Sequence, residues 1–178
     1  MNTVKIHDKV FSKTITNEEI CNEIKKVADR INTDYAGKRP LLLGVLNGCF
    51  MFVSELMKNL NIECEISFIK LSSYQGTTTT GVIKEVIGLS ESITGRDVII
   101  LEDIVDTGLT MQRMLETLGT RNPSSIEIAS LFLKPDRLKV PVDVKYSVFT
   151  IPDRFIVGFG LDYDGLGRNY PDVYDVVE

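Results

Sequence analysis

Val98-Ile-Ile-Leu-Glu-Asp-Ile-Val-Asp-Thr-Gly-Leu-Thr110 is the stretch from which the fold class is read. Four apolar residues run into three carboxylates, Glu102, Asp103 and Asp106, and then into Thr107, Gly108 and Thr110. A helical pattern follows, with Met111, Met114, Leu115 and Leu118 on one face and stop signals at Gly119 and Pro123. The spacing predicts a buried strand over 97–101 that releases acids and hydroxyls into a turn ahead of a helix. Such turns hold phosphate with backbone N–H groups and the helix N-terminus. Carboxylates repel phosphate, so the three acids need another partner: a metal, a sugar hydroxyl or a developing cation.

Working outward, strands and helices alternate. Thr16 and Glu19 have the spacing of a capping box, and Ile20, Ile24, Val27 and Ile31 continue it as an amphipathic helix. Residues 41–46 form a continuous apolar strand broken at Gly48, and 50–60 are helical with Phe52, Val53, Leu56 and Leu60 on one face. Residues 62–71 alternate as a strand with Ile66 and Phe68 facing one way. Residues 72–81, Ser-Ser-Tyr-Gln-Gly-Thr-Thr-Thr-Thr-Gly, carry too little apolar surface to pack and are expected to be a mobile loop. A return strand is expected at 82–87, an apolar strand at 126–133 ending at Lys134-Pro135, and a short strand at 155–159. An acidic, glycine-rich segment follows at 162–168. The alternation implies an α/β domain with a largely parallel sheet. Ligands of such sheets gather at the carboxyl ends of the strands. The unusual chemistry expected there lies at 46–48, 102–110, Lys134 and 162–168.

At 178 residues the chain fits one domain with a real core, and 43% hydrophobic and 25% charged residues are ordinary for a globular protein. A net charge of −5 argues against a general nucleic-acid binder. No apolar run approaches the roughly 20 residues of a membrane span. Residues 1–9 are polar, unlike a signal peptide. Cys21, Cys49 and Cys64 lack metal-type spacing and are expected to be small core residues in a reducing cytoplasm. The single histidine, His7, lies in a polar segment, so acid–base chemistry is expected to proceed without histidine.

The run 98–110 resembles the phosphoribosyl-diphosphate (PRPP) binding motif of type I phosphoribosyltransferases: two aliphatics, two acids, two aliphatics, Asp-Thr-Gly and a final Thr. The rest narrows the resemblance. Val45-Leu46-Asn47-Gly48, Ser73-Tyr74, Lys134, the run Pro152-Asp-Arg-Phe-Ile-Val-Gly158 and Leu161-Asp162-Tyr163 occur in the order seen in hypoxanthine-guanine phosphoribosyltransferases. The similarity spans about 41–168. It implies that family's fold: a largely parallel central sheet flanked by helices (core about 41–135), a small hood from the N-terminal segment and about 150–178, and a flexible loop.

The resemblance also implies roles. The reaction would move ribose 5-phosphate from diphosphate to a purine nitrogen, building positive charge on the sugar. Asp106, Thr107, Gly108, Leu109 and Thr110 would cradle the 5′-phosphate. Glu102 and Asp103 would handle the ribose hydroxyls and Mg²⁺, for which hard oxygen ligands suit. Asp106 would be the acid–base residue at the purine nitrogen. Lys134 would donate to the 6-oxo group, Phe155 would stack on the purine and Ile156 would meet it through its backbone. Asp162 would hold a second Mg²⁺ beside the purine, and Arg168 would contact diphosphate. Leu46, Asn47 and Gly48 would form a diphosphate loop, with a non-proline cis peptide. Asn47 stands where many relatives carry Lys, and Leu109 where some do, which bears on PRPP affinity. Ser73 and Tyr74 would mark a lid that keeps water from the oxocarbenium-like state.

The expected partners are therefore PRPP and a 6-oxopurine, with neither nucleic acid nor membrane, in a homodimer or homotetramer. A xanthine-preferring sister enzyme and an RNA-binding regulator on the same fold are the alternatives.

Overall fold

The computed structural model describes residues 2–73 and 83–177. The chain opens with a hairpin, β1 (Thr3–Ile6) and β2 (Lys9–Ile15), which buries Val4, Ile6 and Phe11. Helix α1 (Asn17–Asp34) starts at the expected capping box: Thr16 Oγ1 accepts from the Glu19 N–H, and Glu19 accepts from the Thr16 N–H at 2.8 Å. Then come β3 (Leu41–Leu46), α2 (Phe50–Lys58), β4 (Glu65–Ser73), β5 (Ile83–Ile87), β6 (Asp97–Val105), α3 (Leu109–Gly119) and β7 (Ser125–Leu133). A 3₁₀ turn (Pro135–Arg137) leads to β8 (Tyr146–Thr150), β9 (Ile156–Val157) and β10 (Val173–Val176).

These strands form two sheets. The larger has the order β5-β4-β3-β6-β7-β8, five parallel strands with β5 antiparallel at one edge. The central strands β3, β6 and most of β7 are buried on both faces, which is why they read as continuous apolar runs, whereas β4 towards one edge alternates. Leu42, Ile99, Leu101, Ala129 and Leu131 meet α1 and α2 on one face. Leu41, Leu43, Val45, Val98, Ile100 and Ile128 meet α3 on the other. The smaller sheet, β1-β2-β10-β9, is antiparallel and closes over Val4, Ile6, Phe11, Val157 and Tyr174. Among the described residues no helix is long and apolar enough to cross a membrane.

Three expectations change. Strand β6 does not end at Leu101: it carries Glu102 and Asp103 within it, because β7 runs alongside and pairs as far as Val105↔Leu133. The ladder hydrogen bonds override the charge of the acids. The strand expected at 155–159 shrinks to β9, because Gly158, Phe159 and Gly160 all take positive φ and turn the chain back on itself. It belongs to the smaller sheet, so the segment 162–168 follows a strand of that sheet and not one of the parallel strands. Strands β1, β2, β8 and β10 carried no assignment from the sequence. Tyr74 and most of the expected 72–81 loop lie outside the described residues.

Candidate active site

Strands β3, β6 and β7 bring three loops to one end of the sheet. In the loop after β6, Gly108 caps α3 with φ 78°, a left-handed conformation that glycine adopts without penalty. A side chain there would also meet Val142 at 3.0 Å, with Leu138 and Val140 close behind. Helix α3 has no side-chain cap and no acid in its first turn. Its first N–H groups and the positive end of its dipole are therefore open to an anion. They border a cavity of about 240 Å³ lined by Glu102, residues 104–108, Thr110 and Met111. Leu109 and Thr110 are exposed at its rim.

The acid pair sits deeper. Glu102 is buried and Asp103 half-buried. Burial, reinforced by the Asp103 charge, pushes the Glu102 carboxyl well above the usual carboxylate range. Burial raises Asp103 too, against the opposing pull of its bond to Glu102, the Ile104 N–H at 2.8 Å and the Arg168 charge. The Asp103 Oδ2 atom lies directly against Gly48. Behind the pair, burial and the same two acids push the Cys49 thiol up to about 12, so it is an inert core group.

These two desolvated carboxyls offer hard oxygen donors. Among the described residues no group of three or more His, Cys, Asp or Glu could hold a metal alone. An ion here would need further oxygens from a substrate, which suits Mg²⁺, commonly held by one or two carboxylates plus phosphates.

The loop after β3 contains the cis Leu46–Asn47 peptide. Asn47 is exposed and Gly48 buried. The Gly48 carbonyl in turn lies against Gly160, so the β3 loop is wedged between Asp103 and the turn after β9.

Asp106 and Lys134 each stand one residue beyond the paired positions Val105 and Leu133, and the Lys134 N–H donates to the Val105 carbonyl at 3.0 Å. They are thus neighbours at the sheet end. Lys134 is only 6% exposed, and among the described residues its ammonium pairs with Asp153 Oδ1 at 3.4 Å. Asp106 Oδ1 accepts from Arg137 Nε at 3.1 Å. The Arg137 fork also reaches Asp153 Oδ2 at 3.4 Å.

Phe155 is 41% exposed. Its ring neighbours are Tyr163, edge-on at 5.4 Å, and Phe11 at 5.9 Å. Ile156 is buried in β9. Asp162 pairs with Arg168 at 2.6 Å through one oxygen and accepts from the Gly165 N–H at 2.7 Å through the other. Arg168 also donates to the Gly160 carbonyl at 2.7 Å. Residues 46–48, Glu102, Asp103 and 106–110 therefore converge, with Lys134 beside Asp106 and Arg168 near enough to act on Asp103. Phe155, Ile156 and Asp162 come from the smaller sheet and its turns. Ser73 ends β4.

Sequence reasoning assigns no role to Arg137, Asp153 or Tyr163, although Asp153 and Tyr163 lie in the runs that carry the family resemblance. Arg137 follows Lys134 by three residues in a turn started by Pro135, a spacing that returns a side chain to the same side. That was the available signal for it.

Residues 12–164 match the phosphoribosyl transferase domain family. A hypoxanthine-guanine phosphoribosyltransferase of Streptococcus agalactiae is 43% identical over 157 residues, 88% of this chain and 87% of its own length. A protein of the same name from Staphylococcus aureus is 40% identical over 167 residues, 93% of both. The crystal structure of a hypoxanthine-guanine phosphoribosyltransferase from Bacillus anthracis superposes with a TM-score of 0.89 at 35% identity, covering 93% of this chain and 98% of that one. With the five-stranded parallel sheet and the uncapped N-terminus of α3, these likenesses make the chain a pentosyltransferase that belongs to the hypoxanthine-guanine phosphoribosyltransferases of the type I phosphoribosyltransferase family.

Proposed function

We propose that the chain transfers the 5-phosphoribosyl group of PRPP to N9 of hypoxanthine or guanine, giving IMP or GMP and diphosphate. One observation carries this reading beyond the family: an acid and a buried lysine, Asp106 and Lys134, occupy adjacent positions just beyond the ends of β6 and β7. A 6-oxopurine offers the complementary pair, a ring nitrogen that exchanges a proton and a carbonyl oxygen that accepts. Lys134 donates to that oxygen, and Asp106 takes or shares the proton. Phe155 covers the purine face, held on its far side by Tyr163 and Phe11. Ile156 contributes backbone polar groups to the purine edge.

The 5′-phosphate rests on the N–H groups at 107–110 and the Thr107 and Thr110 hydroxyls. The diphosphate rests on the backbone at 46–48 and on Arg168, whose fork matches phosphate oxygens once it leaves Asp162. Glu102 and Asp103 face the ribose hydroxyls and would hold Mg²⁺. Asp162 joins a second ion only on releasing Arg168. When bound, Mg²⁺ neutralises the charge of the departing diphosphate. Ser73 and Tyr74 serve as the lid. The free cysteines fit a cytoplasmic enzyme, and the family resemblance a homodimer or homotetramer.

A panel of hypoxanthine, guanine, xanthine and adenine with PRPP and Mg²⁺ tests the reading. Nucleotide should form from the first two. Adenine should be slower by on the order of a thousandfold or more, since its 6-amino group leaves Lys134 facing a donor. Comparable kcat/KM for adenine would overturn it, and a preference for xanthine would replace hypoxanthine-guanine by the sister activity.

A further inference from the structure

We propose that Arg137 is the positioning residue for base transfer: it grips one oxygen of Asp106 so that the other faces the purine, and through Asp153 it ties this carboxylate to Lys134. The proposal rests on the reading that Asp106 addresses the purine nitrogen.

The local geometry builds this clamp. Pro135 opens the 3₁₀ turn, and the Arg137 N–H closes it on the Lys134 carbonyl at 3.1 Å. Two residues on, the Lys139 N–H donates to the Thr107 carbonyl at 3.0 Å, and Leu138 packs over Gly108. The turn after β7 is thus pinned onto the loop after β6, which places the guanidinium between Asp106 and Asp153.

Charges then alternate in one chain. Asp106 Oδ1 meets Arg137 Nε at 3.1 Å, Arg137 Nη1 meets Asp153 Oδ2 at 3.4 Å, and Asp153 Oδ1 meets Lys134 Nζ at 3.4 Å. A planar fork can hold two carboxylates in fixed directions, whereas an ammonium is a point charge with no fixed plane. Among the described residues Asp106 Oδ2 has no hydrogen-bond partner, so the gripped oxygen and the free one are distinct. The two residues that read the purine are therefore linked by two that do not touch it.

The clamp is open to water: the Arg137, Asp106 and Asp153 side chains are 44%, 40% and 54% exposed. Ion pairs this exposed add little to stability. Arg137 should consequently matter for turnover and not for folding, and that separation makes the test sharp.

The experiment compares wild type, Arg137→Ala, Arg137→Lys, Asp106→Asn and the double variant Arg137→Ala/Asp106→Asn in steady-state assays with hypoxanthine, PRPP and Mg²⁺. Arg137→Ala should lower kcat on the order of tenfold, as expected for loss of one charge-assisted bond, with KM for PRPP and thermal midpoint nearly unchanged. Arg137→Lys should fall between, and millimolar guanidinium ion should restore part of the Arg137→Ala loss. In the Asp106→Asn background the Arg137→Ala change should add almost nothing, because the carboxylate it positions is gone. The proposal is overturned if Arg137→Ala keeps wild-type kcat while Asp106→Asn loses it, or if the two losses simply multiply. Wild-type kcat in Asp106→Asn would instead sink the reading of Asp106, and the clamp with it.

Discussion

Asp103 approaches Gly48 so closely that a methyl group at position 48 would coincide with its carboxylate. The carbonyl of the same glycine lies against Gly160, so the β3 loop has no direction in which to retreat. Gly48→Ala must therefore displace Asp103, one of the two acids proposed to face the ribose, and overpacking of this kind costs about 1–3 kcal/mol. KM for PRPP should rise on the order of tenfold while KM for the purine changes little, as read by varying each substrate in turn. An unchanged KM for PRPP would mean that Asp103 and the β3 loop do not share the substrate. Residue types and order were enough to single out Asp106, Lys134 and the run 106–110, because a strand carrying acids into Asp-Thr-Gly is a local pattern. The Gly48–Asp103 contact was not legible, since it joins residues 55 apart, one in the loop after β3 and the other in the neighbouring strand β6. Nor was the pairing of Arg137 with Asp106, 31 residues earlier, even though its spacing from Lys134 could have flagged Arg137 itself.

At the scale of elements, the hairpin and β10 show why the smaller sheet was hard to see. In β1 only Val4 and Ile6 are buried, and in β10 only Val173 and Tyr174, so each strand offers too short a pattern to read alone. The continuous strands of the larger sheet, buried on both faces, were plain by comparison. What fastens the smaller sheet to α1 is a charge. Asp172 accepts from the Asn17 N–H at 2.8 Å and pairs with Lys13 at 2.6 Å. The Lys13 bond chiefly, helped by the Asn17 N–H, holds the Asp172 carboxyl below the usual carboxylate range against the opposing effect of burial. A carboxyl lowered in the folded state stabilises it above its unfolded pKa of about 4, and that contribution is lost as pH falls through the lower folded value. Asp172→Asn keeps an acceptor for the Asn17 N–H and removes the charge. Its thermal midpoint should be lower than wild type at pH 7 and should converge with wild type as pH falls below about 4. Parallel curves from pH 7 to pH 2 would count against this fastening.

Across the whole molecule, the proposed PRPP site draws on both sheets. The 5′-phosphate end belongs to the loop after β6 in the larger sheet. The diphosphate end includes Arg168, which is carried by the turns after β9 and donates to Gly160, itself against Gly48. One ligand spanning both ends would bind the two sheets to each other as well as filling the site. A ligand present at a hundred times its dissociation constant stabilises the folded state by about 2.7 kcal/mol, roughly 5–11 °C in thermal midpoint for a chain of this size. PRPP with Mg²⁺ should produce a shift of that order in differential scanning fluorimetry. Ribose 5-phosphate, which lacks the diphosphate, should produce a clearly smaller one at the same concentration. Arg168→Gln should bring the PRPP shift down towards that of ribose 5-phosphate and leave the ribose 5-phosphate shift alone, since that ligand engages only the larger sheet. Equal shifts for the two ligands in the wild type would place the binding energy entirely at the α3 end and remove the smaller sheet from the PRPP site.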